Sequence, residues 1–154
     1  MVKKILLVLL LVLVVMQFIR PAKNVSHSVN SKDISVLYKV PDSVNTILEK
    51  ACDDCHSDNT RYPWYNNMQP VAWWLRNHIN GGKHHLNFSE FGNYTVAKQV
   101  KKLKHVGKEV TDGSMPLDSY LWIHKDAILS DAEKKTLINW ADSLSQQISV
   151  QNKL

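Results

Sequence analysis

The sequence predicts an all-α protein in which a small helical domain follows a hydrophobic N-terminal helix. Apolar residues recur at helical spacing over residues 42–55, 95–110 and 130–148. Ser130 and Glu133 have the spacing of a capping box, which begins the last of these helices. No strand-rich region competes with these signals, so we expect helices to form the core.

Local signals predict the remaining elements in chain order. Residues 34–40 should be extended, and Asp42 or Ser43 should cap the first domain helix. Pro70 opens another helix, which the Gly81-Gly82 pair should end. The apolar stripes of the three helices contain Val44, Ile47, Leu48, Ala51, Cys52 and Cys55, then Val96, Val100, Leu103 and Val110, then Leu137, Trp140, Ala141, Leu144 and Ile148.

Residues 52–56 read Cys-Asp-Asp-Cys-His, and C-x-x-C-H is the attachment signature of covalently bound c-type haem. Cys52 and Cys55 stand three residues apart, so on a helix both thiols face one side, where they can form thioethers with the haem vinyl groups. His56 follows directly and can coordinate the iron. The motif predicts one covalent haem c, with His56 as a metal ligand.

A redox dithiol, half of a zinc site and a disulfide are the alternatives for the two cysteines. The dithiol lacks the expected βαβ context. The zinc site lacks a second ligand pair, because the chain has no further cysteine and His84-His85 is an adjacent doublet. Haem attachment is therefore the interpretation that we adopt.

The second axial ligand distinguishes an electron carrier from a haem enzyme or sensor. Met115, in the Gly-Ser-Met-Pro loop at 113–116, is the leading candidate, since a thioether raises the iron potential and leaves no open site. Met68 and a histidine are the rivals, the histidines being His78, His84, His85, His105 and His124. An open site would instead suit a peroxidase-like or gas-binding protein, and His78 beside Arg76 is a weak form of that distal pair.

The N-terminus combines Lys3 and Lys4 with an apolar run over residues 5–19, as an export signal does. At about 1.5 Å per residue the run spans about 22 Å, short of the roughly 30 Å hydrocarbon core, although Lys3, Lys4 and Arg20 could snorkel. We expect residues 1–20 to be an uncleaved inner-membrane anchor rather than a removed signal peptide. Residues 21–40 would be a tether, and residues 41–150 a periplasmic domain, secreted if the signal is cleaved.

The net charge of +5 is modest, and no nucleic-acid-binding motif accompanies it. We therefore expect redox proteins as partners, with neither a nucleic acid nor a small-molecule substrate. The lysines between residues 98 and 108 could steer an acidic partner, or could be an ordinary solvated helix face.

Several blocks of the chain between about residues 41 and 141 resemble the small haem-binding domain family of membrane-anchored bacterial c-type cytochromes. These blocks read ACDDCHS at 51–57, YPWY at 62–65, QPVAWW at 69–74, LNFSE at 86–90 and MPLDSY at 115–120. The ending from residue 124 to Trp140 is similar to the close of many class I monohaem cytochromes c. The resemblance implies a cytochrome c-like helical domain around the haem, with His56 proximal, Met115 distal, and the first and last helices crossing near the attachment site.

The resemblance also suggests which residues surround the ligands. In cytochromes c a proline carbonyl commonly accepts from the proximal histidine, and Pro63 is placed to resemble it. The aromatic residues Tyr62, Trp64, Tyr65, Trp73 and Trp74 would then wall the macrocycle. We expect an electron-transfer protein rather than an enzyme. A haem enzyme or sensor with an open distal site, and a haem subunit of a larger oxidoreductase, are the alternatives.

Overall fold

The computed structural model describes residues 1–26 and 28–153. These residues form helices and, apart from an isolated bridge between Val25 and Asn59, no β-structure, so the all-α prediction is confirmed. The helices are α1 (Val2–Met16), α2 (Ile34–Leu37), α3 (Asp42–Ala51), α4 (Asp53–His56), α5 (Val71–His85), α6 (Val96–Thr111), α7 (Asp118–Leu121) and α8 (Asp131–Gln151), with 3₁₀ turns at Trp64–Asn67, Phe88–Asn93 and Lys125–Ala127.

The core forms where α3, α6 and α8 pack together. The predicted apolar stripe of α8 is buried throughout, and Leu103 of α6 is fully buried against it. The capping box at the start of α8 is also present, because Ser130 Oγ accepts from the Glu133 amide and Glu133 accepts from the Ser130 amide. Local apolar spacing and capping therefore define the helices that build the core.

The attachment motif interrupts the first domain helix instead of extending it. Cys52 leaves the helical region at φ −127°, so α3 ends at Ala51 and the one-turn helix α4 follows. The predicted continuous helix over residues 42–55 is wrong at this point. The break is mild, since the Cys52 carbonyl still accepts from the His56 amide at 2.9 Å.

Two other local predictions are wrong. Residues 34–37 form helix α2 rather than an extended segment, because Asp33 caps them by accepting from the Ser35 amide at 2.8 Å and Ile34 is buried. Helix α5 also continues through Gly81 and Gly82 to His85. At Gly82 a Cβ would lie 2.5 Å from the Cys55 carbonyl oxygen, so this glycine serves a close approach of α5 to α4 rather than a helix end.

The apolar N-terminal segment forms α1, and none of its residues is buried against the domain. At about 1.5 Å per residue its 15 residues reach only about 22 Å, against roughly 30 Å of hydrocarbon. Within the described part of the chain, no helix has the length and apolar character needed to cross a bilayer. The predicted localisation as a single-pass inner-membrane protein is therefore wrong.

Residues 17–26, which we call the N-terminal strap, lie along the domain. The Gln69 amide and Trp73 Nε1 donate to Gln17 Oε1 and the Ile19 carbonyl, each at 2.9 Å. Asn24 is buried and donates through Nδ2 to the Ser57 carbonyl at 2.9 Å. The segment predicted as part of a tether is thus joined by hydrogen bonds to α5 and to the loop after the attachment motif.

Replacing Gly82 by alanine should destabilise the protein, because the added Cβ would overlap the Cys55 carbonyl oxygen. We expect the free energy of unfolding to fall by about 1–3 kcal/mol, the range for overpacking. Gly81→Ala is the matched control: nothing lies within 4 Å of its Cβ position, so there the substitution should stabilise the helix by about 0.5–1 kcal/mol. Urea unfolding of both variants checks this, and equal effects would contradict the close approach.

The ion pair between Lys50 at the end of α3 and Glu133 in α8 joins these two helices at 2.6 Å. The hydrogen bond from Lys50, together with those from Ser130, lowers the pKa of Glu133 from 4.5 to about 2. The stabilisation from this carboxylate is therefore present above pH 4.5 and is lost as the pH falls towards 2.

Glu133→Gln keeps a capping side chain but removes this charge, so it should lower the free energy of unfolding by about 0.5–1 kcal/mol at neutral pH. The difference from the wild type should shrink as the pH falls from 4.5 towards 2. Asp131→Asn is the matched control, because it removes a carboxylate from the same helical turn that is not paired with Lys50. Its effect measures the part of the stability change that comes from the helix dipole. A Glu133→Gln effect that is constant with pH in urea unfolding would contradict the role of the ion pair.

Candidate haem site

A cavity of about 510 Å³ lies between α4, α5 and α6 and is bounded by residues 115–120. Cys52, Cys55, His56 and Met115 all line it, although Met115 stands far from the other three along the chain. The apolar side chains of the remaining wall are Ala51, Leu86, Phe88, Val106, Val110, Pro116, Leu117, Leu129 and Leu137. Polar and charged residues also line the cavity, namely Asp54, Asn77, His78, His85, Lys102, His105, Glu109 and Tyr120. The structure thus brings together the four residues that the sequence predicts as the covalent and axial ligands.

The two cysteines are free and form no disulfide. Burial, with a smaller contribution from neighbouring carboxylates, raises the pKa of Cys52 to about 12 and that of Cys55 to about 11. A redox dithiol works through a thiolate of lowered pKa, so this environment does not favour thiol–disulfide exchange. Among the described residues, no three or more His, Cys, Asp and Glu side chains are grouped so as to hold a metal ion by themselves.

His56 is oriented by the backbone that follows α5. Its Nδ1 donates to the Leu86 carbonyl at 2.9 Å, which leaves Nε2 as the nitrogen available to iron. Burial lowers the pKa of His56, so the neutral, ligating form of the imidazole is favoured. Phe88 packs edge-on against the ring, at 6.4 Å between centroids.

The prediction that Pro63 accepts from His56 is wrong. The Pro63 carbonyl accepts instead from the Asn66 amide at 3.1 Å, where it starts the 3₁₀ turn Trp64–Asn67, and Pro63 does not line the cavity. Leu86 takes that role because α5 extends past the glycine pair and delivers the next carbonyl to the imidazole.

The loop that carries Met115 is fixed to the end of α6. Gly113 has φ +72°, a conformation that favours glycine, and turns the chain back so that the Ser114 and Met115 amides donate to the Glu109 carbonyl at 2.9 and 3.2 Å. The Met115 backbone therefore has a defined position at the edge of the cavity.

The structure separates the rival axial ligands into two groups. His78, His85 and His105 line the cavity together with Met115. Met68 is half-exposed and lies outside, as do His84 and His124. His124 is engaged elsewhere, since its Nε2 lies 2.8 Å from the Tyr65 hydroxyl.

The aromatic residues that the resemblance places around the macrocycle do not line this cavity; they are Tyr62, Trp64, Tyr65, Trp73 and Trp74. Trp73 is turned towards the N-terminal strap, where its indole donates to the Ile19 carbonyl. Trp74 is 46% exposed and packs on His78 at 4.2 Å between ring centroids. Aliphatic residues of α6, α8 and the segment 115–120 take the place of these rings.

Asp54 and Tyr120 are polar residues of the cavity wall that were not anticipated as site residues. Asp54, the second variable residue of the attachment motif, is buried and accepts from the Arg61 amide at 2.8 Å and the Tyr120 hydroxyl at 2.7 Å. Tyr120 also lines the cavity. Both residues lie inside blocks on which the family resemblance rests, which was the one available signal, but nothing in the sequence pairs them.

Two thiols, a thioether and an imidazole with its Nε2 available, set in an apolar cavity within the size range of cofactor sites, fit the attachment and ligation of a haem. This fold and site define a haem-binding protein. The chain belongs to the haem-binding domain family, whose model matches residues 11–143. No curated protein and no solved structure matches it.

The match to the family model begins inside α1 and includes the N-terminal strap. The family match shows haem binding as the activity of this chain. The likeness to the cytochrome c fold, and the division of the chain at residues 20 and 40, stay predictions.

Proposed function

We propose that this protein is a monohaem c-type electron carrier. Cys52 and Cys55 form the thioethers, His56 is the proximal ligand and Met115 the distal ligand. The observation that carries the proposal is the convergence of these four side chains on one cavity. When bound, haem supplies an iron that takes up and releases one electron, and no bond of a substrate is made or broken.

The residues of the chain have distinct tasks in this proposal. The Leu86 carbonyl holds the His56 ring in the tautomer that presents Nε2 and makes the imidazole a better ligand. The apolar walls exclude water, which together with a thioether ligand raises the reduction potential. The loop anchored on Glu109 holds Met115 at the cavity edge, so that the distal position is filled by the protein.

A peroxidase-like or gas-binding protein with an open distal site is the alternative, and a distal arginine beside a histidine would favour it. His78 lines the cavity, but Arg76 does not, and its guanidinium donates to the Ala22 carbonyl in the N-terminal strap at 2.9 Å. This arrangement supports electron transfer over peroxidase chemistry.

Redox proteins are the proposed partners. The exposed flank of α6, formed by Lys98, Lys101, Lys104 and Lys108, lies on the helix whose other residues wall the cavity. A concentration of positive charge beside a redox centre steers acidic partners towards it.

Covalent attachment predicts a specific pattern in cysteine variants. Acid–acetone extraction of denatured protein should leave haem on the wild type and on the single variants Cys52→Ala and Cys55→Ala, which each keep one thioether. Only the double variant should release it. Intact mass spectrometry measures the haem that stays with the polypeptide, and retention of haem by the double variant would refute covalent attachment.

Met115→Ala should abolish the sulfur-to-iron absorption band of the oxidised protein and lower its reduction potential, because the thioether ligand is lost. The ferrous variant should bind carbon monoxide readily, whereas the wild type should not. Met68→Ala is the matched control, since Met68 is exposed and lies outside the cavity. Rapid carbon monoxide binding by the wild type would reject the closed site and favour the enzyme or sensor alternative.

A further inference from the structure

The attachment motif contains a buried carboxylate with several donors. Asp54 Oδ1 accepts from the Arg61 amide at 2.8 Å and from Arg61 Nε at 3.2 Å. Its Oδ2 accepts from the Tyr120 hydroxyl at 2.7 Å. Oδ2 also accepts from Arg61 Nη2, at the longer distance of 3.4 Å. The side chain of Asp54 is only 8% exposed while that of Arg61 is 58% exposed, so the shortest contact of Oδ2 comes from the less exposed partner, Tyr120. A buried carboxylate is stable only when such donors satisfy it.

Tyr120 is held by two contacts, one at its hydroxyl and one on the face of its ring. Its hydroxyl donates to Asp54, and its face stacks on His124 at 4.2 Å with an interplanar angle of 12°. His124 is itself fixed by the Tyr65 hydroxyl at 2.8 Å. Burial and the hydrogen bond to Asp54 raise the pKa of Tyr120, so the phenol keeps the proton that it donates.

Tyr120 belongs to the segment that carries the proposed distal ligand. The Tyr120 amide donates to the Leu117 carbonyl at 2.9 Å, so α7 folds directly onto the end of the Met115 loop. Met115, Leu117 and Tyr120 all line the cavity. Within the described residues, the side chains of segment 115–124 form hydrogen bonds to the rest of the chain at two places, Tyr120 with Asp54 and His124 with Tyr65.

We propose that Tyr120 is a positioning residue that holds Met115 on the distal face by tying its segment to Asp54 of the attachment motif. The tie runs from the motif that presents the proximal ligand to the segment that presents the distal one. It adds to the backbone hydrogen bonds from Ser114 and Met115 to Glu109, which hold the other end of the loop. The inference rests on the proposed role of Met115.

The test is Tyr120→Phe in the haem-loaded full chain, which removes the hydroxyl and keeps the ring that stacks on His124. The sulfur-to-iron band of the oxidised protein should weaken, and the reduction potential should fall. Carbon monoxide should bind the ferrous variant roughly ten- to a hundredfold faster than the wild type, the range that corresponds to the loss of one hydrogen bond to a charged group. Tyr38→Phe is the matched control, since that half-buried hydroxyl donates to Gln99 Oε1 at 2.9 Å away from the cavity.

A second variant, Asp54→Asn, keeps the shape of the side chain but removes the charge to which Tyr120 donates. Its band and its carbon monoxide rate should shift in the same direction by less, which supports the tie even where Tyr120→Phe does not accumulate as holoprotein. A general loss of packing would lower the unfolding midpoint of the Tyr120→Phe and Tyr38→Phe variants alike without changing the band.

The Met115→Ala variant distinguishes a failure of the proposed role of Tyr120 from a failure of the proposed role of Met115. If Met115→Ala loses the band while Tyr120→Phe and Asp54→Asn behave as the wild type, Tyr120 has no positioning role and the electron-carrier proposal stands. If Met115→Ala keeps the band, Met115 is not the ligand, and both proposals for the distal face are rejected.

Discussion

The orientation of His56 depends on how closely α5 approaches α4. Gly82 permits that approach, because any larger residue would place a Cβ 2.5 Å from the Cys55 carbonyl oxygen. Four residues later the chain leaves α5 and presents the Leu86 carbonyl to His56 Nδ1 at 2.9 Å. The close approach of Gly82 to the Cys55 carbonyl therefore positions the cysteines relative to α5. It also positions the His56 imidazole relative to the cysteines and to α5. The direction in which Nε2 points is a consequence of this packing.

Hydrophobic packing of helix side chains, rather than a close backbone approach, forms the opposite side of the cavity. The apolar stripes of α6 and α8 bury Leu103, Val110 and Leu137 in the main core, and Val110 and Leu137 reach the cavity as well. The inner wall of the site is thus continuous with the core. The Met115 loop begins where α6 ends, so its position follows from the end of that helix at Thr111 and the turn at Gly113. Helix α6 therefore contributes both to the core and to the position of Met115.

Local signals explain which parts of this arrangement could be predicted. The capping box at Ser130 and the apolar spacing of α6 and α8 involve neighbours along the chain, and the attachment motif identifies its ligands by residue type alone. Whether the glycine pair ends a helix depends instead on what Gly82 packs against, and that contact is tertiary. The choice between the Pro63 and Leu86 carbonyls likewise depends on the path of α5. Leu137 and Val110 have no feature that distinguishes a cavity wall from an ordinary core position.

Asn24 joins the N-terminal strap to the region after the attachment motif. Asn24 makes four hydrogen-bonded contacts with the region after the attachment motif, to the Ser57 carbonyl, the Thr60 hydroxyl and amide, and the Tyr62 hydroxyl, and a fifth with Lys83 of α5. A fragment that started at Pro41 would leave these buried groups without their partners. The residues that follow the cysteines are therefore held in part by a segment of the polypeptide that precedes them by about thirty positions.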